Sequence, residues 1–139
     1  MNPSSVFPPE VLCSLLPENP LVLDMSAAPG GKTVAIADIL KGDGLIIANE
    51  LSSKRLKSLN FNLEKHGCFN VKSMSSDGRV IGSKFAESFD GILLDAPCSN
   101  ENKIFRNDTV AKGWSAEAVE RMSKLQKELI DSAFAALKP

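Results

Sequence analysis

The stretch Leu21-Val22-Leu23-Asp24-Met25-Ser26-Ala27-Ala28-Pro29-Gly30-Gly31-Lys32-Thr33 decides the fold. A short apolar run ends in an acid, a tight turn of small residues follows, and a helical pattern begins at Thr33-Val34-Ala35-Ile36. This is a strand, a turn and a helix N-terminus, the place where α/β proteins hold nucleotide-like ligands. Two later segments repeat the theme. Glu50 closes the apolar run Leu45–Asn49, where an acid accepts hydrogen bonds from ribose hydroxyls, and Asp95-Ala96-Pro97-Cys98-Ser99 closes another.

Outward from that stretch, apolar runs alternate with helical patterns. Strands are expected at Val22–Met25, Gly44–Asn49, Asn70–Met74 and Phe89–Leu94. Helices are expected at Lys32–Leu40, Ser52–His66 (Leu56, Leu59 and Leu63 recur at three and four) and Ser115–Leu137, with Ser115 as N-cap. Met1–Pro9 reads as an extended lead-in, Glu10–Leu16 as a short helix stopped by Pro17, and Ser75–Gly78 as a turn. Short, continuous apolar strands alternating with helices predict a parallel sheet covered on both faces. A long amphipathic helix after a strand leads into another strand, so residues 1–139 read as one partial domain, incomplete at its C-terminus.

Composition narrows the function classes. With 139 residues, 43% of them hydrophobic, the chain supports one modest core and not two. A net charge of −1 creates no field that draws in a polyanion, so a nucleic-acid partner would need a local basic patch or another domain. Cys13, Cys68 and Cys98 are odd in number and lack CxxC spacing, which argues against a zinc site or disulfide framework and for a reducing compartment. No apolar run approaches membrane-spanning length; the chain reads as soluble and cytoplasmic.

Three nucleotide readings compete at the turn. A P-loop ending in Gly31-Lys32-Thr33 would need its first glycine where Ser26 stands, and Pro29 interrupts the run of backbone donors. A dinucleotide fingerprint needs a third glycine that is absent. A nucleoside without phosphates fits better: close backbone approach at Ala27, Ala28 and Gly30, Glu50 for the ribose and Asp77 for the adenine amino group. S-adenosylmethionine meets that description. Against it stands the plain alternative that Asp24, Glu50 and Asp77 are turn formers at strand ends.

Cys98 follows Pro97, which biases Ala96 to an extended shape and aims the thiol. A thiolate can add to carbon 6 of cytosine and make carbon 5 nucleophilic, and Asp95 could support the ring at N3. A buried, inert cysteine in a turn is the alternative. Cys13 and Cys68 read as packing residues, His66 as a solvated helix cap, and Lys54, Arg55 and Lys57 as a basic cluster that a solvated helix face explains as well as RNA does.

These residues resemble the Sun-type family of RNA (cytosine-5) methyltransferases, most closely its bacterial members that act on a small-subunit ribosomal RNA. The matching segments are Asp24–Thr33, Ala48–Glu50, Arg55, Asp77–Arg79, Asp90–Ser99, Trp114-Ser115 and Gln126–Ile130. The resemblance implies a Rossmann-like class I methyltransferase fold. It implies S-adenosylmethionine contacts at Ser26, Ala27, Ala28, Pro29, Gly30, Gly31, Lys32, Glu50, Asp77 and Asp95, with Asp95 and Cys98 as catalytic candidates and no metal. In this family a second cysteine, in a Thr-Cys motif beyond this chain, is the nucleophile, and the Pro-Cys cysteine assists release of the methylated RNA. Cys98 therefore carries two readings, product release or nucleophile. The family's Gly-x-Gly after Pro-Cys-Ser is replaced by Asn100-Glu101-Asn102, and its RNA-binding extensions lie outside the chain. The resemblance thus implies a fragment inactive alone; a non-catalytic scaffold and another class of nucleic-acid methyltransferase are the alternatives.

Overall fold

A computed structural model of the chain describes residues 3–98 and 115–139. Four parallel strands form one sheet: β1 (Leu21–Asp24), β2 (Leu45–Asn49), β3 (Val71–Met74) and β4 (Gly91–Leu93), in the order β3-β2-β1-β4. Register pairs Leu21 with Leu45, Val22 with Gly91, and Ile46 with Val71. The strand order reverses beside β1, and the crevice beyond the carboxyl ends at such a reversal is where open α/β sheets bind ligands.

Alternation along β1 sends neighbouring side chains to opposite faces. Val22 joins Ile36, Ala37, Ile46 and Leu93 beneath α1 (Pro3–Cys13) and α2 (Gly31–Leu40). Leu23 joins Met25, Ile81, Phe89, Leu129 and Ala136 beneath α4 (Ile81–Lys84) and α5 (Ala116–Ala136). A third cluster, Ala27, Ala28, Val34, Ala48, Leu59 and Leu63, packs α3 (Ser53–Lys65) behind the turn that follows β1. Ser52 and Ser115 cap α3 and α5 by accepting from the Arg55 and Ala118 amides.

The four strands, the three long helices and the Ser115 cap appear where the sequence places them, within a residue or two at most ends. Two stretches differ. Residues 3–9, expected to be an extended lead-in, belong to α1 with Pro8 and Pro9 inside it, and the helix expected over Glu10–Leu16 is the second part of α1 and ends at Cys13. Proline costs a helix an amide donor, and packing offsets that loss: Pro9 is fully buried, and Leu12 and Leu16 cover Gly91 so closely that a Cβ there would lie 2.9 and 2.6 Å from their methyls. The turn expected to end at Gly78 runs on into a 3-10 turn (Gly78–Val80) and α4, begun by Asp77, whose side chain accepts from the Arg79 amide. Ser132 on α5 holds this segment, donating to the Gly78 carbonyl at 2.7 Å and accepting from the Gly82 amide at 2.9 Å. Ser99, the Asn100-Glu101-Asn102 departure and Trp114 lie outside the described residues.

Candidate functional site

Two clefts open beyond the carboxyl ends of the strands and meet at Ser26. One, of about 150 Å³, is lined by Asp24, Ser26, Ala27, Ala28, Pro29, Gly31, Lys32 and Asp95. The other, of about 80 Å³, is formed by Glu50, Arg55, Asp77 and Pro97 with the apolar walls Met25, Leu125 and Leu129. The structure thus gathers Ser26–Pro29, Gly31, Lys32, Glu50, Asp77 and Asp95 around these two adjoining clefts, while Cys98 lines neither. Gly30 stands behind them: it caps α2 at φ +110°, and a Cβ there would lie 3.0 Å from Leu59 Cδ1.

Glu50 is the most enclosed acid of the second cleft, 4% exposed. Its Oε1 accepts from the Ser52 amide at 2.9 Å. Its Oε2 is buried and makes no hydrogen bond among the described residues; Arg55 Nη1 lies 3.2 Å away as an ion pair without hydrogen-bond alignment. Glu50 thus brings to the cleft it lines a buried carboxylate oxygen with no hydrogen bond among the described residues. Asp77 lines the same cleft but is already engaged. Its oxygens accept from the Arg79 backbone amide, Nε and Nη2, and Arg79 Nη1 also reaches Glu128 at 3.5 Å. Those Arg79 bonds hold the Asp77 carboxyl below its usual range and raise the Arg79 guanidinium.

In the first cleft, Lys32 Nζ lies 2.6 Å from Asp95 Oδ2, an ion pair across the groove with the Asp95 side chain 61% exposed. Asp24 sits below them, 1% exposed. Thr33 Oγ1 donates to its Oδ2 at 2.6 Å, while Oδ1 is buried without a hydrogen bond among the described residues. Burial pushes the Asp24 carboxyl up to about 6, against the Thr33 hydroxyl and the Lys32 ammonium, which favour the charged form. A carboxyl raised on folding binds its proton more tightly in the folded state. Its contribution to stability is therefore full below the unfolded value of about 4 and lost as pH rises through about 6. Asp24→Asn, compared with the parent by urea denaturation at pH 4 and pH 7, is expected to gain relative stability at the higher pH, on the order of 2–3 kcal/mol. Equal differences at the two pH values would show that Asp24 does not carry this burden.

Cys98 ends the described part of the β4 turn, exposed, two residues past Ala96. Gln126 Nε2 donates to the Pro97 carbonyl at 2.7 Å and so ties that turn to α5. No disulfide joins the three cysteines. Cys13 and Cys68 are half-buried, and burial raises both thiols (with the Asp38 charge adding to Cys68), so neither is a ready nucleophile. His66 is the exposed C-cap of α3.

Three site residues carry more than the sequence suggested. Arg55, read there as one of a surface cluster, reaches inward to Glu50 and to the Ala28 carbonyl. Asn49 is buried and binds Met25 and Ser76. Gln126 holds the thiol turn. The available signal was position: Asn49 precedes the strand-end acid, and Arg55 follows it by five residues at a helix start.

A parallel α/β sheet whose first strand feeds a glycine turn and helix, with a buried acid ending the second, defines a nucleoside-binding domain of the Rossmann-like class shared by class I methyltransferases. The chain belongs to the 16S rRNA methyltransferase RsmB/F family, whose model matches residues 13–139. It is 44% identical over 136 residues to ribosomal RNA small subunit methyltransferase F of Shewanella amazonensis, covering 98% of this chain and 29% of that protein. The same-named protein of Escherichia coli O7:K1 is 47% identical over 118 residues, covering 85% of this chain and 25% of its own length. The chain thus spans under a third of the curated relatives it matches. Among solved structures, NSun6 from Pyrococcus horikoshii with SFG superposes with a TM-score of 0.83 at 31% identity, over 99% of this chain and 34% of that one. A methyltransferase homolog from the same organism gives 0.78 at 35%, over 98% of this chain and 41% of that one. Among the described residues no group of His, Cys, Asp and Glu is placed to hold a metal ion, and no helix is long and apolar enough to cross a membrane.

Proposed function

We propose that this chain is a methyltransferase domain of a protein that transfers a methyl group from S-adenosylmethionine to carbon 5 of a cytosine in ribosomal RNA. The observation that carries the reading is the pair of clefts that meet at Ser26, which brings buried Glu50 and the Ser26–Lys32 turn together with Asp95 and Pro97 of the turn that carries Cys98.

The residues present fit the donor. The second cleft suits adenosine, with Glu50 receiving the ribose hydroxyls and Leu125, Leu129 and Pro97 facing the base. Asp77 is the acid for the adenine amino group, and in that role it shares its carboxylate with Arg79. The first cleft suits the amino-acid end: Asp24 stands at its floor as an acid that would favour an ammonium, and Ser26 to Lys32 supply close backbone. When bound, S-adenosylmethionine supplies an electrophilic methyl group on a sulfonium.

Asp95 lies at the boundary between this groove and the thiol turn. Held by Lys32, its carboxyl can support the ring at N3, giving a proton to that acceptor or accepting from N3–H once the ring is protonated, while the pair keeps the carboxylate from turning away. Thiolate addition to carbon 6 pushes the ring electrons to carbon 5 and makes it the nucleophile toward the methyl group that bound S-adenosylmethionine would supply, with S-adenosylhomocysteine as the leaving group. Loss of the carbon-5 proton then restores the double bond and expels the thiolate. Cys98 assists that release when a second cysteine attacks, and is itself the attacking thiolate in the alternative reading. The net charge of −1 supports placing most of the RNA affinity in the rest of the protein.

Calorimetric titration of the chain with S-adenosylmethionine, ATP and NAD tests the cofactor. Saturable binding of S-adenosylmethionine alone is the expected result; tighter binding of ATP or NAD overturns the methyltransferase reading.

A further inference from the structure

Arg55 sits where a helix least favours it. It occupies the first turn of α3, beside Lys54 and with no acidic residue in that turn, so its charge opposes the positive end of the helix dipole. A local rule broken without local compensation points to a role in the site.

The guanidinium makes two contacts at once. Nη2 donates to the Ala28 carbonyl at 2.6 Å, and Nη1 pairs with Glu50 Oε2 at 3.2 Å. These partners stand on different elements: Ala28 in the turn after β1, Glu50 at the end of β2. Arg55 also begins a stripe at i, i+4 and i+7 along α3 that grips the turn in order. Arg55 holds Ala28, Leu59 packs against Gly30, and Asn62 Nδ2 donates to the Pro29 carbonyl at 2.7 Å. Of the three, Arg55 is the one that an ion pair also ties to Glu50.

We infer that Arg55 is a positioning residue that locks the ribose-accepting carboxylate of Glu50 to the Ala28–Pro29 turn, fixing the spacing between the nucleoside and amino-acid halves of the groove. The inference rests on the cofactor reading proposed above. With Oε1 held by the Ser52 amide and Oε2 steered by Arg55, the carboxylate cannot rotate freely at the wall of the cleft it lines. A planar fork suits this task; a lysine ammonium is one point charge and would have to choose between the partners.

The test is a double-mutant cycle on the chain, using Arg55→Lys, Glu50→Gln and the pair. Folding of each variant is checked by melting, and S-adenosylhomocysteine is the calorimetric probe. Arg55→Lys is expected to weaken binding about tenfold, and by about threefold or less when Glu50 is already Gln. A second readout separates positioning from packing. The affinity ratio of adenosine to 2′,3′-dideoxyadenosine is expected to fall toward one in Arg55→Lys. It should stay at the parent value in Asn62→Ala, which loosens the turn without touching Glu50. Arg55→Lys binding like the parent overturns the inference. So does an equal loss in both Glu50 backgrounds with the nucleoside ratio unchanged, which would make Arg55 a packing residue. If the folded parent binds no S-adenosylhomocysteine, the cofactor reading itself fails and the role of Arg55 falls with it; if the parent binds and only the variants fail to differ, the cofactor reading survives.

Discussion

Glu50→Ala is expected to weaken S-adenosylmethionine binding about a hundredfold or more, the loss of two charge-assisted hydrogen bonds to ribose hydroxyls. The size of the effect follows from burial. Glu50 is 4% exposed, so water cannot stand in for the missing carboxylate, and Arg55 loses its acid in the same step. Glu50→Gln keeps one acceptor oxygen and is expected to lose less. Calorimetry on variants whose melting shows a folded chain measures both, and affinity within about threefold of the parent in Glu50→Ala would remove Glu50 from the binding site.

Gly44→Ala is expected to be the most damaging single-methyl change to the fold. Gly44 adopts φ +72° just before β2, and a Cβ there would lie 2.2 Å from the Pro20 carbonyl oxygen and 2.6 Å from Pro20 Cδ. The obstacle is backbone and a ring, neither of which can swing aside. That same carbonyl accepts from the Leu45 amide at 2.8 Å, so moving it disturbs the start of the β1–β2 pairing. A cost above ~4 kcal/mol is expected, comparable to the whole stability of a small domain. Gly42→Ala is the control. It shares the left-handed backbone, at φ +92°, but meets nothing within 4 Å, so it isolates the backbone strain of roughly 1–2 kcal/mol. Urea denaturation of the two variants decides the matter: similar losses would mean that strain, not the clash, sets the cost.

What could be read from the chain was whatever is local and periodic. The strands are short apolar runs ended by Asp24, Glu50 and Asp95, and the glycine turn advertises itself by composition, so the sheet and the floor of the groove were legible. The first part of α1 was hidden because Pro8 and Pro9 argue against a helix, and the packing of Pro9, Leu12 and Leu16 on the body of the domain outweighs them. α4 has four residues, too few for a helical period to register. The partnerships within the site were also invisible. Nothing in Asp77-Gly78-Arg79 says that the arginine folds back on the aspartate, and nothing in Lys54-Arg55 says that one cation faces solvent-accessible surface while its neighbour reaches 27 residues back to Ala28. Those facts depend on which strand ends become neighbours, and they exist only once the sheet is assembled.

Asn49 shows what such a network means for the chemical lifetime of the protein. Its side-chain amide donates to the Met25 and Ser76 carbonyls, and its oxygen accepts from the Ser76 amide at 2.9 Å. Loss of ammonia from this side chain would leave a carboxylate facing two carbonyl oxygens, prying apart the ends of β1, β2 and β3 with the electrostatic repulsion of a buried, unmatched acid. The reaction needs the following backbone nitrogen to swing onto the side-chain carbonyl. That nitrogen belongs to Glu50, whose amide is held by the Met74 carbonyl at 3.0 Å. The site where ageing would do most harm to the groove is therefore one that the sheet itself protects from ageing, for as long as β3 stays paired.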